Sequence, residues 1–491
     1  MSNGQIDLRA RARQAMVDAG FHPDFSADVL NEARNPRPPA QPNAGPAPED
    51  LRSLAWSSID NDSSRDLDQV EYAEQRADGS VHLMVGVADV DATVPAGSAT
   101  DKRAATECTT VYTGVATFPM LPDELSTDRT SLVGGEERTA MVIELRVTPD
   151  GDVNCHDIFP ALICNRAKLA YSSTGAWLEG TGPMPVAVAA VPGMDAQLQL
   201  QRETAERLRA VRKQKGTLAF ISMEAAPDIA NGQLKGLSFV RHTVADNVIE
   251  EFMVAANVAM AQYLKEKGAL CVRRVVRVPK RWDRIQAVAA EYKVTLPTEP
   301  DSRALSDFLD QRRQADPDHF PDLSLTVVKL LGPGEYIVEQ PGAEQVGHFG
   351  LAVEDYTHTT APNRRYADLV TQRLLKAACC GAPGPYAMAD LQTIAAHCTE
   401  REDAARKVER VMRKVMAASL LSAHIGETFD GIITGASPKG TFARLLKFPA
   451  EGMVVRGAQG ADVGDAVRLR LAGVNVAKGF IDFERQAKPV A

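Results

Sequence analysis

No stretch of this 491-residue chain approaches the roughly twenty consecutive apolar residues that a bilayer-spanning helix needs. The opening residues, Met1 to Arg9, have no apolar core of the signal-peptide kind. Both absences set the expectation of a soluble chain with no membrane partner. The seven cysteines (Cys108, Cys155, Cys164, Cys271, Cys379, Cys380 and Cys398) include no Cys-x-x-Cys pair and no zinc-like spacing. Their odd number and the adjacency of Cys379 and Cys380 point to reduced thiols and a cytoplasmic setting. Positive charge is scarce as well: 55 Lys and Arg face 64 Asp and Glu, a net charge of −9. That balance argues against a protein that coats polyanions with its whole surface, so a nucleic acid would have to meet a local basic channel. No long internal repeat is visible.

What is present is first a run of carboxylates, Ile59-Asp60-Asn61-Asp62-Ser63-Ser64-Arg65-Asp66-Leu67-Asp68, on an irregular stretch rather than a charged helix face. Mg²⁺ takes oxygen ligands and usually only one or two carboxylates, with substrate phosphate and water completing the shell. Asp66 and Asp68, two apart, share one side of an extended backbone, and a turn through Ser63 and Ser64 brings Asp60 toward them. Alone, the run reads equally well as a solvated acidic loop.

Some three hundred residues on comes Tyr356-Thr357-His358-Thr359-Thr360-Ala361-Pro362-Asn363-Arg364-Arg365-Tyr366. Thr360-Ala361-Pro362 reads as a helix start, with Pro at the first helical position. That places Arg364 and Arg365 in a first turn, where the macrodipole disfavours cations unless an anion binds the free N–H groups. Arg also matches phosphate oxygens with a planar fork. The other reading pairs Arg364 with Asp368 as a surface bridge. A third segment, Asp246 to Asn257, has helical composition; Glu250, Val254 and Asn257 fall on one face, with Glu251 about 100° away. Asp246 and Glu250 form a like-charge pair one turn apart.

Together these segments resemble the signature blocks of the ribonuclease II family, whose catalytic unit is the RNB domain. In that family an Ile-Asp opens the acid block and Asp-x-Asp-Asp closes it. Here the counterparts are Ile59-Asp60 and Asp66-Leu67-Asp68-Gln69. Tyr112 precedes Pro119-Met120-Leu121-Pro122-Asp123-Glu124-Leu125-Ser126, and Glu250-Glu251-Phe252-Met253 leads to Ala256-Asn257. Phe349-Gly350-Leu351-Ala352 and the Arg364-Arg365-Tyr366 block follow in order, and the match runs over roughly residues 50 to 395. Three positions depart from the pattern. Gln69 stands where the family has the last Asp, and Ala361 and Asn363 replace Ser and Ile beside the arginines. An amide oxygen ligates a hard cation without charge, so weaker metal binding is expected; Asp62 is an extra acid nearby.

The resemblance implies an α+β fold: an RNB catalytic domain with a mixed β-sheet core and surrounding helices, then a small all-β OB barrel. The expected divisions are a helical arm and Pro-rich linker (1–48), the RNB domain (49–400), a connecting helix (401–424) and the barrel (425–491). The arm is read as two helices, 6–20 and 26–34, bracing the catalytic unit in preference to a partial helix-turn-helix. The cold-shock modules with which family members commonly begin have no room within these residues. Strand-like runs lie at Val81–Ala88 and Ala140–Val147. Helices are expected at 194–215, 246–266, 282–293, 302–314 and 387–423, and a loop at 183–192. In the last stretch, strand signals at 429–435, 440–446, 465–471 and 479–483 resemble a ribosomal S-one-type OB barrel. Phe429 and Phe442 are the aromatics placed near RNA there, with Arg444, Lys439 and Lys447 as phosphate contacts. Barrel core is the competing reading for each Phe.

The function implied by the resemblance is 3′-to-5′ exoribonuclease action on single-stranded RNA, releasing nucleoside 5′-monophosphates with Mg²⁺ or Mn²⁺. Asp60, Asp66, Asp68 and Gln69 would hold metal, with Asp68 the most sensitive acid. Arg364 would stabilise charge on the scissile phosphate beside Arg365, Tyr112 would pack on the terminal nucleotide, and Glu250 would fix its sugar. A monomer is expected. Two alternatives stand beside this reading: an RNB-fold RNA-binding protein impaired by Gln69, and a phosphodiesterase acting on a small nucleotide.

Overall fold

Two short helices, α1 (Leu8–Asp18) and α2 (Ala27–Arg34), begin the part of the chain described by the computed structural model. The described residues are 6–35, 47–221, 225–230, 233–317, 319–340, 342, 346–437 and 440–486. Most of the Pro-rich linker and Lys439 fall outside them. Each helix is capped as its sequence dictates: the Asp7 side chain accepts from the backbone N–H of Arg9 and Ala10, and Ser26 accepts from Val29.

The chain then lays down β1 (Glu49–Asp50), β2 (Trp56–Asp60), β3 (Gln69–Gln75) and β4 (Val81–Ala88). Helix α3 (Ala99–Glu107) and a small hairpin, β5 (Val111–Tyr112) with β6 (Thr117–Phe118), come next, followed by β7 (Glu137–Val147) and the long β8 (Val153–Ala170). The sheet order is β1-β8-β2-β3-β4-β7, and β7 also pairs with β8 from Val153 to Cys164, so the sheet curls back on its longest strand. β4 lies at the centre between β3 and β7 and is buried almost throughout, which is why its sequence is a nearly continuous apolar run.

Helices α4 (Tyr171–Leu178), α5 (Val186–Ala189) and α6 (Met194–Gln214) follow, with α5 lying in the stretch expected to be a loop. A hairpin of β9 (Ala225–Ala230) and β10 (Gln233–Phe239) leads to α7 (Val244–Glu266). One large core joins the sheet residues Trp56, Val70, Val85 and Ile143 to Phe252 and Met260 of α7. Gly175 of α4 sits hard against Thr243, the N-cap of α7; a Cβ there would lie 2.4 Å from the threonine hydroxyl. This approach sets α4 beside the end of β2.

The remaining elements are β11 (Cys271–Val275), α8 (Trp282–Glu291), α9 (Ser302–Ala315), α10 (Phe320–Leu331), β12 (Glu335–Glu339), α11 (Tyr366–Cys379) and α12 (Met388–Leu421). Helix α12 has 34 residues, about 50 Å of rise. It runs unbroken through residue 400, where the sequence was divided between the RNB domain and a connecting helix. Its middle packs on Ala12, Ala15 and Met16 of α1, and Arg401 stacks its guanidinium over Phe21. Glu32 of α2 accepts from the backbone N–H of Ala99 and Thr100 at the start of α3, so the arm is fastened at both ends.

Ala417, Ala418 and Leu421 at the end of α12 enter the core of a closed barrel of β13 (Thr428–Ser437), β14 (Gly440–Leu445), β15 (Glu451–Arg456), β16 (Ala466–Asn475) and β17 (Phe480–Arg485). Its strand order is β13-β14-β15-β17-β16. The fold is thus α+β with a terminal OB-type barrel, as the resemblance implied. β15 is the barrel strand for which the sequence showed no signal; its alternate residues Gly452 and Val454 are buried, and Met453 and Val455 face out.

Candidate nucleic-acid-processing site

The acid block occupies the end of β2, the loop after it and the start of β3. One side chain, that of Ser131, ties this loop at two points. Ser131 Oγ accepts from Leu67 N at 2.9 Å and donates to Arg65 O at 2.7 Å. Asp68 continues the β3 ladder, its carbonyl accepting from Ala88 N.

Asp68 is buried, at 2% exposure, and both of its oxygens are engaged. Oδ1 accepts from Asn363 N at 2.9 Å, and Oδ2 accepts from Arg364 Nε at 3.1 Å. The acid block and the arginine block, 296 residues apart, therefore meet directly. Arg364 keeps 41% of its side chain exposed, so the guanidinium is fixed at one edge and open at the other. Burial pushes the Asp68 carboxyl up to about 7; Arg364 and the Asn363 N–H oppose this, while Asp66 and Asp368 add to it.

Asp66 accepts from the Tyr112 hydroxyl at 2.7 Å. Tyr112 is 42% exposed, and its backbone N–H donates to Glu409 of α12 at 3.2 Å. Burial of the hydroxyl, with Asp66 beside it and Arg364 opposing, raises its pKa and keeps it protonated. The strand bearing Tyr112 is fastened to the arginine block: Thr110 N donates to Arg364 O and Tyr366 N to Cys108 O, both at 2.9 Å. Asp60 Oδ1 accepts from Asn61 N at 2.7 Å and from Ser64 Oγ at 2.9 Å. Burial raises its carboxyl; Asn61, Ser64 and Arg364 lower it and Asp66 raises it. Asp62 turns away to accept from Ser172 Oγ at 2.8 Å.

The arginine block corrects the sequence expectation. The helix begins at Tyr366, so Pro362, Asn363 and Arg364 lie in a turn before it. Its backbone donors are spent on the protein's own acids: Asn363 N on Asp68, and Ala361 N on Asp368 at 2.8 Å. Asp368, which the alternative reading gave to Arg364, pairs with Arg365 at 2.7 Å and is fully buried. Arg365 is thus a structural anchor and Arg364 the outward-facing cation. Asn363, a departure from the family pattern, ties this turn to Thr130 through both ends of its amide. Asn257 of α7 holds the strand leading in, accepting from Thr359 N and Thr359 Oγ1, each at 2.9 Å. Thr130 and Ser131 had no chemical signature of their own in the sequence, because their task is to fasten backbone; Asn257 stood in a signature block but with no role assigned to it.

Other expected residues lie apart. Glu250 is half exposed and 3.7 Å from Arg212, while its neighbour Glu251 is buried and pairs with Arg212 at 2.8 Å. Among the described residues no hydrogen bond or ion pair joins Glu250 to Asp68 or Arg364. Asp246 accepts from Thr243 N and Oγ1 in a capping box, which removes it from any like-charge stack with Glu250. In the barrel, Arg444 is not offered to a strand: its guanidinium pairs with Asp322 of α10 at 2.8 Å, both side chains largely buried. Phe429 packs partly into the barrel core against His424, Phe442 is half-buried on β14, and Lys447 is exposed.

Gln69 opens β3, its backbone paired with Val87 and its side chain half-buried. Two residues on, Glu71 is fully buried opposite Ser57 of β2, and neither carboxyl oxygen has a hydrogen-bond partner among the described residues. Burial holds the Glu71 carboxyl well above the usual carboxylate range, and the charge of Asp60 adds to the shift.

No three His, Cys, Asp or Glu side chains among the described residues are gathered closely enough to form a metal cage. Mg²⁺ seldom uses such cages, taking one or two carboxylates with substrate phosphate and water. Asp60 and Asp66, each with one oxygen left after its contacts, suit that requirement, whereas Asp68 is already satisfied by Asn363 and Arg364.

A stability measurement checks the Asp68 environment. An acid whose folded pKa is raised binds its proton more tightly when folded, so stability is greatest below the unfolded pKa and falls as pH rises toward 7. In EDTA, wild type should lose a few kcal/mol between about pH 4 and 7 through this group, and Asp68→Asn should lack that part of the slope. Parallel urea melts for the two proteins across that range would contradict the assignment.

The RNB domain family matches residues 48–380, and the RNase II-type exonuclease C-terminal S1 domain family matches residues 427–486. Ribonuclease R of Aquifex aeolicus is 29% identical over 441 residues, covering 88% of this chain and 61% of the relative. Ribonuclease R of Thermotoga maritima is 28% identical over 423 residues, covering 83% of this chain and 57% of the relative. The chain thus spans less than two thirds of the length of these curated relatives. Among solved structures, the apo form of Mycoplasma genitalium RNase R superposes with a TM-score of 0.87 at 22% identity, over 98% of this chain and 78% of that one. The same protein in complex with ribose methylated single-stranded RNA superposes equally well.

Proposed function

This chain belongs to the RNB family, and on that footing we propose that it is a 3′-to-5′ exoribonuclease releasing nucleoside 5′-monophosphates from single-stranded RNA. The observation that carries the reading is the Asp68–Arg364 contact, beside Asp66, Tyr112 and Asp60. An anchored, half-exposed guanidinium next to carboxylates offers phosphate a place where one edge is held and the other free.

In this reading Asp68 acts on Arg364 rather than on metal. It fixes Nε and leaves the terminal nitrogens to meet the scissile phosphate, so the donor needs no reorganisation as charge develops. Tyr112, held by its hydroxyl on Asp66, presents its exposed ring to the terminal nucleotide. Asp60 and Asp66 would hold a divalent cation such as Mg²⁺, which when bound activates water and offsets charge on the leaving oxygen. Glu250 and the barrel aromatics Phe429 and Phe442 remain proposed contacts to the strand farther out, and Arg444 is better read as the link that docks the barrel on α10. A cytoplasmic monomer is the matching proposal for setting and assembly; among the described residues no helix is long and apolar enough to cross a membrane.

Incubating the protein with 5′-labelled single-stranded RNA and Mg²⁺ should shorten the labelled strand one nucleotide at a time, with mononucleotides as the released product. Tight RNA binding without any cleavage would instead identify an RNA-binding protein on this fold. Turnover of small nucleotides with RNA left intact would identify a phosphodiesterase.

A further inference from the structure

The stretch of α12 from Arg406 to Lys414 holds five cations (Arg406, Lys407, Arg410, Arg413 and Lys414) and one acid, Glu409, in a chain whose net charge is −9. At about 100° per residue the five cations share roughly 120° of the helix surface, and all five are exposed. The opposite face, Ala405, Val408, Met412 and Val415, is buried in the core shared with α1. Arg406 pairs with Glu402 and Asp403. Lys407, Arg410, Arg413 and Lys414 have no ion-pair partner among the described residues. Arg410 stands one turn from each of the other four, and like charges at that spacing repel. A helix face that keeps such repulsion unrelieved suits an anion with repeated charge.

Exposed aromatics flank this face. Glu409 turns to the β5–β6 hairpin, where its carboxylate accepts from Tyr112 N at 3.2 Å. That contact sets the cations beside Tyr112, whose ring is the proposed platform for the terminal nucleotide. At the other end lie the barrel turn Val476–Lys478 and the start of β17. Gly479 approaches α12 so closely that a Cβ there would lie 2.8 Å from Lys414 Cβ and 2.9 Å from Val415 N. The next residue, Phe480, is 58% exposed, with the Lys478 ammonium 6.0 Å from its ring centroid. Single strands bind to such surfaces by stacking bases on the rings and laying phosphates on the cations. A duplex, its bases stacked on one another, has no base face to offer Phe480.

We propose that the exposed face of α12 from Lys407 to Lys414, together with Lys478 and Phe480 of the barrel, is a track for the single-stranded RNA upstream of the terminal nucleotide. The proposal rests on the exoribonuclease reading above and extends it. It gives this acidic chain the local basic surface that holding RNA requires, and it places that surface between the barrel and Tyr112.

Binding of labelled oligouridylate to the full chain in EDTA, titrated against KCl, tests the track without reference to turnover. The variant carrying Lys407→Gln, Arg410→Gln, Arg413→Gln and Lys414→Gln should lose about 10- to 100-fold in affinity. Its slope of log affinity against log salt should become shallower by up to about 3 units, at about 0.7 per phosphate on a single strand. Phe480→Ala should weaken binding by about 5- to 100-fold with the slope unchanged, and Phe480→Trp should restore it. A control that removes the same charge from exposed positions elsewhere, Lys102→Gln, Lys267→Gln, Lys280→Gln and Lys293→Gln, should keep the wild-type slope. An unchanged slope in the α12 variant, or an equal loss in the control, overturns the proposal. Should the fourfold variant fail to fold, Arg410→Gln alone decides: a slope shallower by about 0.7 supports the track, and an unchanged one overturns it. Wild type that binds RNA through this face and cleaves nothing would overturn the exoribonuclease function and leave the track standing. Wild type that binds no single-stranded RNA would overturn both.

Discussion

Asp68→Asn is expected to abolish RNA hydrolysis while leaving RNA binding intact. The substitution keeps the shape of the side chain but removes its charge, and it presents an N–H₂ group where two donors, Asn363 N and Arg364 Nε, already point in. One of the three must turn away, and Arg364, the more exposed, is the one free to do so. Loss of a preorganised donor at the reacting phosphate costs about 10²–10³-fold in turnover, and loss of the charge that anchors it adds to this. On the proposed function the strand would be held mainly by contacts along its length, so affinity should change little. Filter binding beside the cleavage assay measures both. Substantial residual turnover would remove Asp68 from the centre of the mechanism, and loss of binding in step with activity would make it a binding residue.

Removing residues 425–491 is expected to produce the second large effect, a strong loss of RNA affinity with slow trimming of short oligonucleotides retained. The barrel contributes Phe442 and Lys447 on its accessible surface. Each neutralised phosphate adds roughly one unit to the slope of log affinity against log salt, so the truncated protein should show a shallower slope as well as a weaker constant. The cut exposes Ala417, Ala418 and Leu421 and strands Asp322 without Arg444. A thermal melt must therefore show that the catalytic unit still unfolds cooperatively before the binding data are read. Equal RNA affinity in the truncated and full chains would show that the barrel is not the main strand-holding module.

Much of this protein was legible in order along the chain. The acid block, Tyr112 and the arginine block were each recognisable as local strings, because the chemistry they serve needs particular residue types at short spacing. Helices at 194–214 and 302–315 and the strand Val81–Ala88 fell close to where periodicity and apolar runs placed them, since each is a continuous segment whose burial pattern is written in its own residues. The buried face of α1 is set from outside the helix. Ala12 is buried and Ala10 is exposed, because α12, far along the chain, decides which side is covered.

Only the tertiary structure decided how the blocks act on one another. From sequence, Arg364 had the phosphate role and Arg365 none of its own; in the fold one reaches Asp68 and the other is locked to Asp368, since the turn through Pro362 aims consecutive side chains at different neighbours. Arg444 has the composition of a phosphate contact and the position of a docking bridge, a difference set by where α10 lies. Nothing in the sequence singled out Glu71. The sequence by itself determined the family, the order of the modules and the presence of acids and arginine. The pairing of Asp68 with Arg364, the fastening by Asn363, Thr130 and Ser131, and the burial of Glu71 opposite Ser57 came from tertiary structure alone. The physical reason is that hydrogen bonds and desolvation act between groups close in space, and that closeness is absent until the chain has packed.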